Sequence, residues 1–339
     1  MTDVRSPSIL KGSATITDTN PANRLGRIAV LVNPMASRSN GEADWLALEE
    51  RFHRSFPNAS VEVISTQSPE HTVKLGEELQ TDLIVSVSGD GTLHNITQGL
   101  MRRERTDRPA LTVVPVGTGN DFARSAGIPL DPSQAVSAIS TGVLRTIDIG
   151  RCNDRYYLNT LSFGVDAAIG LRTAELAREQ RRGGAILYAL TAVRTVITEL
   201  HPHSCRMHID GQDAGQDMAR DIEKELLICA VQNGPYYGGG FMPAPDARLD
   251  DGLLDVCMIG RISIPKALYY LARMRQGSHQ QLKAFTSLRA RSLTIDFTTT
   301  IPCQCDGEPL DAQHFEIEVI PQALNILAPL APLAAARHS

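Results

Sequence analysis

The sequence predicts an α/β domain followed by an all-β, antiparallel domain, with the boundary near residue 150. Three observations carry this. From Arg27 to Gly150, short β-branched runs alternate with helical patterns, which marks a parallel sheet wrapped by helices. After Gly150 the chain becomes a series of strand-like runs separated by turns, with two helical segments among them. A length of 339 residues is also more than one hydrophobic core usually supports, at about 100 to 200 residues per domain.

Residues 1–25 mix Ser, Thr, Asn and Asp and hold no apolar run of the roughly 7 to 15 residues that a signal peptide needs, so they are expected to form a flexible tail. The α/β domain, 26–150, places strands at "RIAVLV" (27–32), "SVEVIS" (60–65), "DLIVSVS" (82–88), "ALTVVPV" (110–116) and "RTIDIG" (145–150). The β domain, 151–320, holds strand patterns in "RYYLNTLSFGVDA", "CRMHIDG", "ELLICAVQNG", "GLLDVCMIG", "SLTIDFTT", "CQCDGEPL" and "HFEIEVIP", with helices expected at about 184–200 and 264–276. Residues 321–339, which end in an Ala/Pro-rich tract, are expected to return to the N-terminal domain.

Composition excludes several classes. Hydrophobic residues make up 42% and charged residues 21%, and the mean hydropathy of −0.13 describes a soluble globular chain rather than a disordered or membrane-spanning one. The longest apolar stretch, 185–200, contains Arg194 and three threonines and falls short of the roughly 20 residues of a spanning helix. The six cysteines are scattered and four lie in apolar runs, so buried free thiols are expected rather than a disulfide framework. Cys303 and Cys305 have no second Cys or His pair nearby in sequence to complete a metal clip.

Ligands of an open α/β sheet gather at the carboxyl ends of its strands, and two of this sheet's loops are unusual there. In "SGDGT", Gly89 and Gly91 flank Asp90 just before an amphipathic run. Such a turn exposes backbone N–H groups to an anion at a helix N-terminus, while the carboxylate can hold a cation, so the loop suits phosphate and Mg²⁺ together. In "PVGTGNDFAR" (115–124), Gly117 and Gly119 free the backbone, Thr118 offers a hydroxyl, and Asn120 and Asp121 can cap the next helix. Neither loop has P-loop or dinucleotide-fingerprint spacing, and the protein-kinase motifs are missing. Taken without the other motifs, Asp306-Gly307-Glu308 is equally the pattern of a hairpin tip, and Asp250-Asp251-Gly252 that of a β-turn.

Gly89-Asp90-Gly91-Thr92, Pro115-x-Gly117-Thr118-x-Asn120-Asp121-Phe122-Ala123-Arg124, "NGPYYGGGFMPAPDARLDDGLLDV" (233–256) and "CDGEPL" (305–310) together resemble the diacylglycerol kinase catalytic-domain family, in particular its bacterial lipid kinases. The resemblance spans about residues 28–330. It implies an N-terminal nucleotide domain like that of NAD kinases and phosphofructokinases, a C-terminal β-sandwich that takes the lipid, and an active site in the cleft between them. It also implies ATP and Mg²⁺ as cofactors. ATP would lie against Asn33, Thr66, Gly89, Asp90, Gly91, Thr92, Gly117, Thr118, Asn120 and Asp121, with Asp90 also catalytic. The proton acceptor would be Glu308, with Asp306 beside it, and a structural Mg²⁺ would be held by Asp251 and the carbonyls of Arg248 and Leu253. Two positions depart from the pattern: Ser88 replaces its first glycine, and Asn95 stands where a Glu usually follows.

The net charge is −5, yet residues 256–295 hold no Asp or Glu and seven basic residues, which leaves −12 for the remainder. A concentrated basic face is attracted to anionic lipid, and "IPKALYYLARMRQ" adds Leu268, Tyr269, Tyr270, Leu271 and Met274. A second basic-apolar segment, "AREQRRGGAILYAL", carries Arg178, Arg181 and Arg182. The expected partners are therefore a lipid substrate and the inner, cytoplasmic face of a membrane, approached peripherally. No nucleic-acid partner is expected, and a homodimer stays open. The competing readings are a soluble-metabolite kinase of the NAD kinase type, which shares the G-D-G-T turn, and a nucleotide-responsive lipid-binding protein without turnover, which Asn95 keeps open.

Overall fold

The computed structural model describes residues 25–35, 41–180, 185–212 and 220–330. Of the expected N-terminal tail only Leu25, which is buried, is described; residues 1–24, the chain beyond Leu330, and Arg181 and Arg182 lie outside these residues.

Four strands form the parallel sheet: β1 (Arg27–Val32), β2 (Ser60–Ser65), β3 (Leu83–Ser88) and β4 (Ala110–Pro115), in the order β2-β1-β3-β4. Helices α1 (Gly41–Ser55), α2 (Pro69–Glu78), α3 (Asp90–Met101), α4 (Asp121–Ser125) and α5 (Pro132–Ser140) connect them or follow the last. Every residue of β3 and β4 is buried, Ser86, Ser88 and Thr112 among them, as expected of central strands covered on both faces of a parallel sheet. The edge strand β2 keeps four of its six residues exposed.

Helix α3 matters most for the site, because its first residue is Asp90. It crosses α2 through glycines on both helices: a Cβ on Gly99 would stand 2.0 Å from the Val73 carbonyl oxygen, and one on Gly76 would stand 2.4 Å from that of Ile96. The contact holds α3 down on the sheet, with its head at the carboxyl end of β3.

The fifth expected parallel strand behaves differently. Strand β5 (Val143–Cys152) runs antiparallel to β14 (His314–Ala328), and β14 joins the parallel sheet through Ile326 opposite Leu111 of β4. A β-branched run shows that a segment is a strand but says nothing of its neighbour's direction, and here the neighbour comes from the far end of the chain.

The remaining strands are β6 (Arg155–Tyr157), β7 (Thr160–Gly164), β8 (His203–Gln212), β9 (Arg220–Gln232), β10 (Leu254–Gly260), β11 (Phe285–Phe297), β12 (Cys303–Cys305) and β13 (Glu308–Pro309), all paired antiparallel. Since β14 also pairs with β11, one hydrogen-bonded path runs from β13 to β2 through both parts. Three helices lie among these strands: α6 (Val165–Gln180), α7 (Ala185–Glu199) and α8 (Ile264–Arg275).

Helix α6 begins inside a segment that reads as strand in the sequence. Phe163 and Val165 suit either state, and the change falls on Gly164, whose φ of +90 turns the chain and where a Cβ would meet the Leu227 carbonyl at 2.4 Å. Separate apolar cores lie under the parallel sheet, inside the β part and beneath α7 and α8. All six cysteines are buried and free. Among the described residues, no helix is long and apolar enough to cross a membrane.

Gly99→Ala should lower stability by about 1 to 3 kcal/mol despite alanine's better helix propensity, because the added methyl must push α2 off α3. Urea denaturation monitored by circular dichroism measures this, and an unchanged midpoint would show that the helices can part freely.

Candidate active site

Both glycine loops sit at the carboxyl ends of β3 and β4, and their backbones touch. A Cβ on Gly117 would come within 2.5 Å of the Gly89 Cα, so neither strand end could approach the other with a side chain there. Asn120 stands at the N-cap position of α4 with φ of +54, but its side chain does not cap the helix. Its Nδ2 donates back to the Gly117 carbonyl at 2.9 Å, bracing the loop.

Asp121 likewise serves something other than its own helix. Its two oxygens accept the N–H groups of Gly239 and Gly240, each at 2.8 Å, from the loop between β9 and β10. This carboxylate joins the two parts of the molecule across the cleft. Asp90 Oδ1 accepts from the Phe122 N–H at 3.1 Å, and its Oδ2 faces the bare α-carbon of Gly119, where a Cβ would lie 2.8 Å from Asp90 and 3.4 Å from Asp121. Burial pushes the pKa of Asp90 up. Burial, and next the nearby Asp90 charge, push that of Asp121 up to about 7. Two carboxylates converging on an open glycine make an all-oxygen donor set suited to a hard divalent cation, and a cation there would relieve their repulsion.

The other residues expected at the nucleotide gather around these loops. Asn33 Nδ2 donates to Thr92 Oγ1 at 2.7 Å, tying the end of β1 to the first turn of α3, and Asn33 Oδ1 accepts from the Met35 N–H. Thr66 is buried at the end of β2, with its hydroxyl turned to the Val32 carbonyl. Thr118 is exposed at the tip of its loop.

Glu308 reaches the same place from β13. Its Oε1 lies 3.7 Å from where a Cβ on Gly91 would stand, across the head of α3. Asp306, grouped with it as catalytic in the sequence, does something else. In a left-handed conformation with φ of +48, it accepts the backbone N–H groups of Leu158, Asn159 and Thr160 at 2.6, 3.0 and 3.0 Å. Its Oδ2 lies 3.6 Å from Nδ1 of the buried His94 on α3. Both oxygens thus hold backbone together rather than facing a substrate.

The turn at Arg248, Asp251 and Leu253 is also occupied. Asp251 Oδ1 accepts from the Leu253 N–H at 3.2 Å, and Oδ2 accepts from Nη2 of Arg289 on β11. The charge that a structural Mg²⁺ would neutralise is already met by a guanidinium, so the turn as it stands does not fit the ion. Among the described residues, no three His, Cys, Asp or Glu side chains cluster as metal ligands.

Several important residues carry no motif. The buried Asp148 accepts from the N–H groups of Gly252 and Gln322, each at 2.7 Å, tying β5 to a turn and to the bend in β14. An acid inside the run "TIDIG" was the signal available for it. Asn233 Nδ2 donates to the carbonyls of Asp148 and Leu158. Arg275 Nη1 donates to the Gly239 carbonyl at 2.6 Å while its guanidinium lies over the Phe241 ring, bracing the loop that holds Asp121.

Comparison with known proteins gives this fold its class, a lipid kinase, a phosphotransferase with an alcohol acceptor. Residues 27–152 match the diacylglycerol kinase catalytic domain, and residues 159–328 match the YegS C-terminal NAD kinase beta sandwich-like domain. The chain belongs to this diacylglycerol kinase-type family of lipid kinases. It is similar to a "Probable lipid kinase YegS-like" protein of Pseudomonas aeruginosa, at 32% identity over 73% of this chain and 76% of that one. A diacylglycerol kinase of Mycobacterium tuberculosis is 29% identical over 91% of this chain and 96% of its own. The fold is shared with a crystal structure of a diacylglycerol kinase from Bacillus anthracis, with a TM-score of 0.71 and 22% identity over 91% of this chain and 99% of that one.

Because Asp121 holds its proton up to about pH 7 when folded but only to 3.8 in its ordinary state, the unfolded chain releases that proton first, and stability should fall as pH climbs between these values and level off above them. Chemical denaturation of Asp121→Asn should show a shallower decline from pH 5 to 7 than the wild type, by up to about 1.4 kcal/mol per pH unit. Equal slopes would mean that Asp121 titrates outside this window.

Proposed function

We propose that this lipid kinase transfers the γ-phosphoryl group of ATP, with Mg²⁺, to the free hydroxyl of a diacylglycerol or related lipid at the inner face of the membrane. The observation that carries this reading is the Glu308 carboxylate beside Gly91, facing a Gly-Asp-Gly turn at a helix head.

Phosphoryl transfer needs positioning, charge neutralisation and an acceptor for the hydroxyl proton, with little covalent chemistry from the protein. The first N–H groups of α3 point at an anion placed over the Gly89–Thr92 turn, and the helix dipole favours negative charge there. Asn33 and Thr92 present a linked polar pair beside that turn, and Thr118 offers a second hydroxyl from the neighbouring loop. Mg²⁺ would be held by Asp90 with Asp121 beside it, and when bound it neutralises phosphate charge. Glu308 accepts the proton of the lipid hydroxyl, and Asp306 is the positioning residue that fixes the start of its hairpin.

The membrane-facing side includes α7 rather than α8 alone. On α8, Tyr270 and Met274 are buried and Leu268 and Leu271 pack against the core beneath it, leaving Tyr269 as the exposed large side chain of the set. On α7, Ile186, Leu190, Val193 and Ile197 are exposed at helical spacing along one stripe, 79%, 66%, 41% and 54% accessible. Arg194 on α7 and Lys266 on the adjoining α8 are exposed on the same part of the molecule. An apolar stripe flanked by cations suits an anionic bilayer surface.

Incubation with γ-labelled ATP and a panel of hydroxyl lipids in mixed micelles, beside NAD as a soluble acceptor, should label a diacylglycerol-like lipid and leave NAD unlabelled. Labelled NAD would move the chain to the soluble-metabolite class, and no labelled product would favour a binding protein. Glu308→Gln should lower kcat by about 10² to 10⁴ with ATP affinity nearly unchanged. Asp306→Asn should lower the melting temperature along with activity. Retention of more than half of wild-type kcat by Glu308→Gln would place the base elsewhere. In sedimentation with anionic vesicles, binding should fall between low salt and about 0.5 M salt. Leu190→Asp should weaken it at both, whereas equal binding to neutral and anionic vesicles would remove the electrostatic part of this reading.

A further inference from the structure

A row of buried polar side chains lies under the head of α6, on the face of β7 and β12 turned away from the apolar core of the β part. Thr160 and Ser162 of β7 alternate with Leu161 and Phe163, which enter that core. Gln304 of β12 stands opposite Ser162, between Cys303 and Cys305, which also enter it. Gln232 of β9 stands opposite Thr160 and donates to its hydroxyl. All four polar residues are buried, Gln304 with 3% of its surface exposed.

Gln304 uses both ends of its amide. Its Nε2 donates to Ser162 Oγ at 2.7 Å, and its Oε1 accepts the Gly307 N–H. The direction of each bond is set by the next. A backbone N–H can only donate, so the amide oxygen must face Gly307 and the amide nitrogen must face Ser162. The Ser162 hydroxyl then has its own proton to give, and the Asp166 carboxyl in the first turn of α6 accepts it, together with the backbone N–H groups of Asp166 and Ala167. A continuous path of hydrogen bonds therefore runs from the head of α6, through Ser162 and Gln304, to the turn that precedes Glu308.

That turn has little else to hold it at Gly307. Asp306 and Gly307 have φ of +48 and +93, two successive positive values as in a two-residue hairpin loop, and Cys305 and Glu308 pair across it. A Cβ on Gly307 would meet nothing within 4 Å, so no packing steadies the residue from that side. The strand ladder leaves the N–H of such a loop residue without a partner, and the Gln304 side chain supplies one.

Buried groups that bond one another add little net stability over apolar groups of the same shape, but a bonded network holds one geometry. Gln304 and Ser162, in place of apolar residues at a site closed to water, point to a fixed geometry at Gly307 as their use. We propose that Gln304 is a positioning residue for phosphoryl transfer: it holds the Asp306-Gly307 turn so that the Glu308 carboxylate stays at the head of α3, with Ser162 and Asp166 orienting its amide from α6. The inference rests on the reading of Glu308 as proton acceptor and adds what sets its reach. Its part differs from that of Asp306, whose carboxylate binds the N–H groups of residues 158–160 and fixes the first residue of the loop. Gln304 fixes the second, next to Glu308 itself.

The test uses the full chain, with dioleoylglycerol in mixed micelles as acceptor. Gln304→Met keeps the length of the side chain and removes both bonds. It should lower kcat about 10- to 100-fold, as expected for a reacting group displaced by about 1 Å, and leave KM for ATP within about twofold of wild type. In hydrogen–deuterium exchange, the peptide spanning 303–310 should exchange at least about tenfold faster in this variant, while peptides from β3 and β4 keep wild-type rates. In a Glu308→Gln background, Gln304→Met should cost less than about twofold in kcat, because the base whose position it sets is already gone; a merely structural role would give the full loss in both backgrounds. Ser162→Ala should lower kcat by about three- to tenfold, and Ser162→Thr, which keeps the hydroxyl, should retain at least half of wild-type kcat.

Wild-type kcat in a folded Gln304→Met variant, or equal losses in the two backgrounds, would overturn the proposal. If that variant does not fold, unchanged kcat and exchange in Ser162→Ala would overturn it. Faster exchange over 303–310 in Gln304→Met, beside full activity in Glu308→Gln, would keep the brace on the hairpin and overturn Glu308 as the base. Unchanged exchange in Gln304→Met, beside the expected loss in Glu308→Gln, would keep the base and overturn the brace.

Discussion

The arrangement of the cleft depends on one carboxylate that faces away from it. Asp306 gathers three consecutive backbone N–H groups, from Leu158 to Thr160, at the point where the α/β part gives way to the β part. It also lies against His94 on α3. Three charge-assisted bonds to rigid backbone fix the residue in a left-handed conformation that a non-glycine residue adopts only under such constraint. Glu308 follows two residues later, so the same bonds set where the hairpin turns and bring its carboxylate to Gly91. Were Asp306 free, both the lobe junction and the reach of Glu308 would lose their register.

The other buried carboxylates extend this logic. Asp148 accepts two N–H groups and joins three segments, and Asp121 accepts two and joins the lobes. Asp90 accepts the Phe122 N–H and turns its other oxygen toward the backbone of Gly119. Carboxylates whose oxygens are filled by backbone donors serve the framework. Asp90 and Asp121, whose oxygens converge at Gly119, lie where a cation would relieve their repulsion. In a chain with this many acids, the distinction separates architecture from chemistry better than residue type does.

Much of the framework was legible in the residues. Largely apolar, β-branched runs in β3 and β4 marked parallel strands, and the glycines at 89, 91, 117 and 119 marked loops where backbone must come close to backbone or to a ligand. Other features were not, for physical reasons. Helix α6 was hidden because Phe163 and Val165 suit strand and helix alike, and the decision falls on the positive φ of Gly164. The direction of β5 was hidden because its partner, β14, is contributed from more than 160 residues away, beyond any local pattern. On α8 the sequence shows apolar and basic residues together, but which of its faces is covered depends on the core beneath it.

The sequence by itself determined the two-part organisation, the position of the glycine turns, and the presence of Asp90, Asp121, Asp306 and Glu308 as candidates, because hydrophobic period and turn chemistry are local properties. Tertiary structure decided their roles, since a carboxylate's role is set by the donors that reach it. Asp306 met three N–H groups, Asp251 met Arg289, and Asn120 turned from its helix to the Gly117 carbonyl. Each of those partners is brought in by packing between segments distant in the chain or by a local backbone conformation, neither of which residue type alone specifies.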